Sequence, residues 1–407
     1  MHSQAAPQPA TFILATLDTK GREAEYLRDL LVGYGVRVQL VDCSCQGEAT
    51  VRADVPREEI VAAAGGDWRA LATAADRGAA VSAAAAGAAA WIERAGARGE
   101  VAGVLAIGGS AGTTIGTAAM RVLPIGVPKV MVSTLASGQV RHYVGDKDIV
   151  MLNSVVDLVG LNRITRAVLG NAARAMAGMV LLTRDKPPAD ERPLIAATMF
   201  GVTTPCIEQA KAVLEQAGYE VLVFHATGSG GQAMESLVND GLFVGVLDIT
   251  TTELADELVG GMLSAGPERL TAAARRGVPQ VVSVGATDMV NFHAPASVPE
   301  QFRGRTFHHH NANVTLMRTT AEESARIGAD IGRKLSAAQG PVAVLLPAQG
   351  VSAIDRAGQP FDDPVARRAL FAALRASAPR LEVQELDCHI NDPQFAIAAA
   401  RRLLELL

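Results

Sequence analysis

A glycine-rich turn is the stretch of this sequence whose residue types most clearly suggest chemistry. It follows an apolar run, 101–107, that is typical of a buried parallel strand, and it leads into a predicted helix that starts near Thr113. Glycines let a backbone approach a ligand closely, and the free amides of a helix N-terminus favour phosphate or carboxylate. The turn therefore predicts an anion site. The candidate ligand-binding residues in it are Gly108, Gly109, Ser110, Gly112 and Thr113.

The spacing in this turn does not name the ligand. It matches neither a Walker A loop, because no Gly-Lys-Ser/Thr follows, nor the G-x-G-x-x-G pattern of dinucleotide-binding proteins. A tight strand-to-helix turn without any ligand is the structural alternative.

Polar residues at other predicted strand ends add to the candidate site. Ligands of open parallel sheets bind beyond the carboxyl ends of the strands. A carboxylate at such a position could hold Mg²⁺ or a ribose hydroxyl, and a lysine could reach a phosphate, whereas helix capping and solvation are the structural alternatives. The further cofactor-binding candidates are Asp18, Thr19, Lys20, Gly230 and Asp248.

Three consecutive histidines, 308–310, raise the question of a metal site. The tract has no carboxylate partners at ligand spacing, so we expect no bound metal there and favour hydrogen bonding to a ligand or general-base chemistry. On an extended chain His308 and His310 share one face. We take His310 as the first catalytic candidate and Asp288, at another predicted strand end, as the second, with His293 as an alternative histidine.

Alternating strands and helices must position these groups. A strand at 11–16, a helix at about 23–33 and a strand at 36–41 form a β-α-β unit, which requires parallel strands. The charged, proline-rich stretch near 186–193 reads as a linker. We therefore expect an N-terminal domain at 1–185, with a helical insertion at about 50–100, and a C-terminal domain at 194–407.

The second half of the chain weakly repeats the first. Thr16 matches Thr198, Gly35 matches Gly218, and Gly-Val-Leu occurs at both 103–105 and 245–247. The repeat predicts an α/β protein of two related Rossmann-like or flavodoxin-like lobes with mostly parallel sheets. If the lobes face each other, their glycine- and hydroxyl-bearing loops line a shared cleft, where we expect the ligand.

Composition narrows the class of protein. The chain has 407 residues, and its net charge of −5 shows none of the excess positive charge that is typical of nucleic-acid-binding proteins. Its 4 cysteines are expected to be thiols in a reducing cytosol. The first ten residues lack the basic region and apolar run of a signal peptide, so we expect none there, and no apolar run reaches the roughly 18 residues that a membrane helix needs. We therefore expect a cytoplasmic protein whose partner is a small molecule. The alanine-rich insertion offers an apolar face for a homo-oligomer.

Several long motifs resemble those of the UPF0261 family, also called the Tm-1-like ATP-binding proteins. The motifs are IGGSAGTT at 107–114, LPIGVPK at 123–129, DLVGLN at 157–162 and the segment His310–Thr320. The resemblance runs from about Thr11 to the C-terminus. It implies two α/β subdomains and nucleotide binding at the matching glycine turn, and for a plant member it implies an inhibitory role against a viral replication protein.

The hypothesis that follows is a protein that binds ATP, with Mg²⁺, and acts in small-molecule metabolism. Two alternatives stay open at this point. One is an enzyme for a small carboxylate or sugar acid that uses no nucleotide, and the other is a binding or inhibitory protein without turnover.

Overall fold

Two parallel sheets organise the chain, one in each half. The computed structural model describes residues 8–74, 76–182 and 191–407. Its contacts divide the chain into two units, Met1–Pro187 and Pro188–Leu407. Strands and helices alternate in both units, so the expected α/β class with two mostly parallel sheets is confirmed.

The N-terminal unit is a parallel sheet with helices on both faces, and its strands are near-continuous apolar runs because both faces are covered. The strands are β1 (Ala10–Ala15), β2 (Val38–Asp42), β3 (Val101–Gly108), β4 (Lys129–Ser133) and β5 (Val150–Asn153). The helices are α1 (Leu17–Gly33), α2 (Arg57–Ala63), α3 (Trp68–Ala74), α4 (Arg77–Ala97), α5 (Ser110–Arg121), α6 (Arg141–Val144) and α7 (Arg163–Leu182).

The strand order of this sheet is β2-β1-β3-β4-β5, and every neighbouring pair is parallel. One core cluster packs β1 and β3 against α4 and α5, and a second packs the opposite face against α1 and α7. The helical segment that interrupts the strand-helix rhythm, α2 to α4, therefore contributes to the first of these cores.

The C-terminal unit repeats this arrangement and extends it. Its strands are β6 (Leu194–Met199), β7 (Glu220–His225), β8 (Phe243–Thr250), β9 (Gln280–Gly285), β10 (Met289–Phe292), β11 (Phe307–Asn311), β12 (Val314–Arg318), β13 (Val342–Pro347) and β14 (Glu382–Leu386). Its helices are α8 (Thr204–Gln216), α9 (Ser229–Asn239), α10 (Thr252–Val259), α11 (Ala272–Arg276), α12 (Ala321–Leu335), α13 (Pro364–Ser377) and α14 (Pro393–Leu406).

The main sheet of this unit has the order β14-β13-β9-β8-β6-β7 and is parallel throughout. Between β9 and β13 the chain forms a separate antiparallel sheet of order β10-β12-β11. The sequence patterns did not predict this small sheet.

Strand register corrects the alignment of the two halves. β1 and β3 shift register once, after which Thr11 pairs with Gly103, and β6 and β8 shift at the same place, after which Ile195 pairs with Gly245. Counting along the strands from these pairs, Thr16 corresponds to Phe200 and not to Thr198. The glycine correspondence that the sequence suggested, 103 with 245, agrees with the register.

Two helices begin earlier than their hydrophobic spacing predicts. α1 begins at Leu17, not near residue 23, and α5 begins at Ser110, not at Thr113. Asp18 and Thr19 therefore lie in the first turn of α1. The helix is kinked directly after this turn, at Lys20 (φ −123°, ψ 18°), and then continues to Gly33. Within residues 8–74, 76–182 and 191–407, no helix is both long and apolar enough to cross a bilayer.

Candidate functional site

The N-terminal sheet reverses its strand order between β1 and β3. In doubly wound sheets such a switch point opens a crevice beyond the carboxyl ends of the two strands, and ligands bind there. β1 ends at Ala15 and β3 ends at Gly108, so the first turns of α1 and α5 border this position. The fold thus brings together two candidate segments that lie about 90 residues apart in the sequence.

Two glycines of the turn after β3 are needed for close packing. A Cβ on Gly108 would lie 2.8 Å from the Cα of Gly112, and a Cβ on Gly112 would lie 2.8 Å from the carbonyl oxygen of Ile107. At Gly109 the nearest atom to a Cβ would be Thr134 Oγ1 at 3.6 Å, an ordinary contact. Gly109 is therefore the glycine of this turn at which a side chain fits without rearrangement.

The N-terminus of α5 has no side-chain cap from its N-cap residue, Gly109. Ser110 is exposed and Ala111 is half-buried, so the start of the helix is accessible from outside the fold. The first amides of a helix have no partner within the helix and carry a partial positive charge. The end of the sheet therefore presents a helix N-terminus of the kind that binds anions.

Thr113, a predicted ligand-binding residue, is instead bonded inside the protein. It is fully buried, its hydroxyl lies 2.7 Å from the Gly109 carbonyl oxygen and 2.7 Å from Ser133 Oγ, and the second contact ties the turn to β4. These bonds assign Thr113 to the support of the turn.

The first turn of α1 forms the opposite wall. Its amides are partly used, because Asp18 N donates to Ser44 Oγ at 2.9 Å, while Asp18 Oδ2 accepts from Gly47 N at 3.1 Å. The ammonium group of Lys20 donates to the carbonyl oxygen of Leu158. Asp18 and Lys20 are thus held in place by loops from other parts of the same unit.

A polar cavity of about 320 Å³ lies between these walls. Besides the glycine turn it contains two basic side chains, Lys20 and Arg77, and two acidic ones, Asp18 and Asp157. All its lining residues belong to the N-terminal unit: Thr16, Asp18, Thr19, Lys20, Cys45, Gln46, Arg77, Gly109, Ser110, Ala111, Gly112 and Asp157. Six of the ten predicted cofactor-binding residues line it: Asp18, Thr19, Lys20, Gly109, Ser110 and Gly112.

Sequence reasoning missed Arg77 and did not single out Asp157 as a site residue. Arg77 opens α4 behind the N-cap Asp76 and belongs to the helical insertion, so no local pattern indicates that it reaches the switch point. Asp157 did carry a signal, because it opens one of the motifs that resemble the UPF0261 family. Cys45 also lines the cavity, and burial raises the pKa of its thiol to about 11, so it is a neutral wall residue at pH 7.

A second cavity adjoins the first at Gly109 and Asp157, which line both. It runs over the ends of β4 and β5 and is lined by hydroxyl and amide side chains such as Thr134, Ser137 and Asn153. Val155 also lines it, with a φ of +66°. A β-branched residue in this region is strained, and such strain is concentrated at functional sites.

In the C-terminal unit the glycine turn after β7 is filled by the protein itself. Glu253 Oε1 accepts the amide of Gly228 at 2.7 Å and that of Gly231 at 3.0 Å, at the start of α9. Gly230, the predicted ligand-binding residue, packs against β7, since a Cβ there would lie 1.9 Å from the His225 carbonyl oxygen. The expectation of an open ligand site at Gly230 is corrected accordingly.

Asp248 is likewise buried and internally bonded, which corrects its expected place at an open site. Arg269 contacts it through two bonds, Nη1 to Oδ2 at 2.5 Å and Nη2 to Oδ1 at 2.7 Å, and Thr198 donates to Oδ1 at 2.7 Å. Arg269 Nε also donates to Glu253 Oε2 at 2.5 Å. The side chain of Asp248 is 1% exposed, so these partners surround it.

The two catalytic candidates lie in different surroundings. Asp288 is buried, accepts a bond from Ser352 Oγ at 2.8 Å, and has a pKa raised to about 7 by burial and by the charge of Asp355. His310 is exposed at the end of β11 and lines a cavity of about 360 Å³ to which Asp288 does not contribute. The described residues thus do not bring this pair together in one cavity.

The structure also defines the surroundings of Arg318 and His309. Arg318, in the segment His310–Thr320, is an arginine that could by its type bind an anion, but it is buried and donates to the Phe361 carbonyl oxygen at 2.8 Å and to Thr319 Oγ1 at 2.7 Å. His309 lines a cavity on the antiparallel sheet to which His310 does not contribute. Within the described part of the chain, no group of three or more His, Cys, Asp or Glu side chains is arranged to hold a metal ion.

These features define a class: an α/β protein of two units with related strand order, the first of which has a polar cavity at its switch point. Comparison with known families agrees. The model of the "Uncharacterised protein family (UPF0261) N-terminal domain" matches residues 9–185, and that of the "Uncharacterised protein family (UPF0261) C-terminal domain" matches residues 192–407. The chain belongs to the UPF0261 family.

Relatives of similar length occur in bacteria. A UPF0261 protein of Clostridium tetani is 48% identical over 399 residues, which cover 97% of this chain and 98% of that protein. A UPF0261 protein of Rhizobium meliloti is 49% identical over 396 residues, covering 95% of this chain and 96% of the relative.

A plant relative is longer than this chain. The ToMV resistance protein Tm-1(GCR237) of Solanum lycopersicum is 40% identical over 428 residues, which cover 100% of this chain and 57% of the tomato protein.

Proposed function

We propose that the N-terminal unit binds ATP, with its phosphates in the polar cavity at Gly109 and its Mg²⁺ bound alongside. The observation that carries the proposal is the position of that cavity. It lies at the topological switch point, between the uncapped start of α5 and the first turn of α1. Nucleotide phosphates bind at this place in doubly wound folds because backbone amides and the helix dipole meet there.

The charged side chains of the cavity suit a nucleotide that arrives with a cation. Lys20 and Arg77 would offset phosphate charge, and Asp18 and Asp157 supply two carboxylates. Mg²⁺ in nucleotide sites is usually held by one or two carboxylates, by phosphate oxygens and by water, and not by an all-protein cage. The donor set therefore fits a magnesium ion carried in by the nucleotide.

The adjoining cavity has space for the ribose and base of the nucleotide. A triphosphate at Gly109 would leave its ribose and base to extend along the ends of β4 and β5, where Thr134, Ser137 and Asn153 offer hydroxyl and amide groups. The UPF0261 resemblance, which implies nucleotide binding at this same turn, supports the same assignment.

Calorimetric titration with ATP and Mg²⁺ tests the proposal at Gly109, where a side chain fits. We expect saturable binding by the wild type and by Gly109→Ala. Gly109→Asn and Gly109→Asp have nearly equal volume, so their difference isolates charge. We expect the aspartate variant to bind ATP at least about tenfold more weakly than the asparagine variant, because its carboxylate would repel phosphate at the helix start.

The controls separate loss of binding from loss of folding. Each variant should keep the wild-type circular dichroism spectrum and a cooperative melting transition. Equal affinity of Gly109→Asn and Gly109→Asp for ATP would overturn the proposed phosphate position. Binding of small organic acids but not of ATP, again lost in Gly109→Asp, would overturn the nucleotide and assign the same amides to a carboxylate substrate.

A further inference from the structure

The cavity that His310 lines, in the C-terminal unit, differs in character from the polar cavity at Gly109. It has a volume of about 360 Å³ and lies beyond the ends of β6 and β7, where the antiparallel sheet closes one side. Its walls are mainly apolar and come from Phe200, Val202, Leu263, Val314 and Leu316. Pockets of this size and lining are typical of sites for small organic ligands.

Polar groups in this cavity are few and placed at definite points. His225 packs against Phe200 in a tilted stack with ring centroids 5.5 Å apart, and His310 and Asn311 lie at the end of β11. Asn291, in β10, is buried and also lines the cavity. An apolar pocket with a few polar groups orients its ligand through those groups.

Asn291 carries a polar atom that the protein leaves unused. Its side-chain Nδ2 donates to Asp256 Oδ2 at 2.7 Å and its backbone amide donates to Asp256 Oδ1 at 3.0 Å, while its backbone carbonyl accepts from Met262 N at 2.9 Å. Burial raises the pKa of Asp256 to about 7. Above that pH its carboxylate fixes the orientation of the Asn291 amide, because it attracts the donor end. Asn291 Oδ1 is then left buried with no hydrogen-bond partner among the described residues.

A buried acceptor without a partner is unfavourable, and native proteins rarely keep one without reason. We propose that this cavity is a second binding site, for a small aromatic or branched apolar molecule that carries one hydroxyl or N–H donor. The donor bonds Asn291 Oδ1, the apolar body packs against Phe200 and Leu316, and the imidazoles of His225 and His310 contact the opposite end of the ligand. Asp256 acts as a positioning residue that holds the amide of Asn291.

A matched pair of probes tests the hydrogen bond. Indole carries one N–H donor on an aromatic body, and 1-methylindole has the same body without the donor. In titrations of the full chain followed by NMR, we expect indole to bind at least about tenfold more tightly, because its analogue leaves the acceptor unpaired. Equal affinities, or no binding of indole at low millimolar concentration, would overturn the proposal.

A matched pair of variants tests the location. A Cβ on Gly201, which lines the cavity, would have no heavy atom within 4 Å, so larger side chains can be placed there. We expect Gly201→Phe to fill the cavity and weaken indole binding at least about tenfold, whereas Gly201→Ala binds indole like the wild type. Undiminished binding by a folded Gly201→Phe variant would place the ligand elsewhere and overturn the assignment.

A spectroscopic signature serves if Gly201→Phe does not fold. The ring-carbon signals of His225 and His310 in the wild type should shift on addition of indole, because both imidazoles line the cavity. Absence of any histidine shift at saturating indole would also count against the site. The nucleotide proposal neither supports nor depends on these results.

Discussion

Both units wind their strands in the same order from β2 to β5 and from β7 to β13, yet they treat the amides at helix starts in opposite ways. In the N-terminal unit the start of α5 lacks a side-chain cap and borders an open polar cavity. In the C-terminal unit the amides of Gly228 and Gly231, at the start of α9, donate to the carboxylate of Glu253. Glu253 itself lies in the first turn of α10, the helix after β8 and therefore the counterpart of α5. The chain itself supplies the anion in the C-terminal unit, and we propose that a ligand supplies it in the N-terminal unit.

The internal anion of the C-terminal unit is part of a buried ion network. Burial lowers the pKa of Arg269, but the charges of Asp248 and Glu253 outweigh burial and raise it well above its ordinary value. Burial raises the pKa of Glu253, against the opposing effect of Arg269. In the C-terminal unit the glycine turn at a helix start thus binds a carboxylate, and that carboxylate comes from a residue more than 20 positions away in the sequence.

The largest expected effect comes from removing the cation of this network. Arg269→Met keeps most of the side-chain volume but leaves Asp248 and Glu253 as unpaired buried carboxylates. We expect the C-terminal unit to lose about 3–5 kcal/mol of unfolding free energy, measured by urea denaturation followed by circular dichroism. Lys211→Ala, which removes a partly exposed pair with Glu215, is the control and should cost less than about 1 kcal/mol. A loss in Arg269→Met no larger than in the control would contradict a stabilising network.

A somewhat smaller effect should follow from emptying the position of the internal anion. Glu253→Ala leaves the amides of Gly228 and Gly231 and the guanidinium of Arg269 without their carboxylate, and we expect a loss of about 2–4 kcal/mol. Formate, a carboxylate that fits the vacated space, should raise the melting temperature of this variant more than an equal concentration of chloride does. The wild type should respond equally to both salts. If formate stabilises the variant no better than chloride, the comparison with an anion site fails.

A third prediction concerns pH, because Asp288 is buried with its pKa raised to about 7. A carboxyl group whose folded-state pKa is raised contributes stability that is present below the unfolded pKa, near 4, and is lost as pH rises toward 7. Asp288→Asn cannot ionise, so its unfolding free energy should improve relative to wild type between pH 5 and pH 7.5, by more than about 1 kcal/mol. Urea denaturation at both pH values measures this change.

The exposed Asp387, which bonds Gln349, provides the control for the pH experiment. Asp387→Asn should show a much smaller pH-dependent difference from wild type. A difference for Asp288→Asn that stays constant from pH 5 to pH 7.5, or that moves the other way, would show that the carboxyl group is already ionised in the folded protein.

Local sequence patterns predicted those features that local physics decides. The spacing Thr320-x-x-Glu323 predicts a capping box, and both of its reciprocal bonds are present at the start of α12. The ends of β3 and β4 were located to within one residue, because continuous apolar runs followed by Gly, Ser, Thr or Asp are a short-range signal. The end of β8 was not, since this strand continues to Thr250 and contains Asp248. The class of fold follows from the alternation of these runs with helical patterns.

Features that depend on distant partners could not be predicted in this way. Asp248 and Arg269 are 21 residues apart, and nothing near either residue indicates that they pair. Arg77 reaches the switch point from an insertion, and β11, with the sequence FHHHN, lacks the apolar alternation that indicates a strand. In each case tertiary packing supplied the information, and so the roles first assigned to Asp248 and Gly230 had to be revised.

The smallest expected effect comes from Gly109→Asp, which would place a carboxylate of the chain itself at the start of α5. Gly109 is the N-cap of α5, and Asp is among the best N-cap residues because its carboxylate accepts the free amides and interacts favourably with the helix dipole. Gly109→Asp should therefore stabilise the ligand-free N-terminal unit by about 0.5–1 kcal/mol in urea denaturation, relative to Gly109→Ala, while it loses nucleotide binding. The same substitution would then imitate Glu253 in the other unit. A Gly109→Asp variant less stable than Gly109→Ala would mean that these amides are not available to an anion, and both the comparison and the proposed phosphate site would fail together.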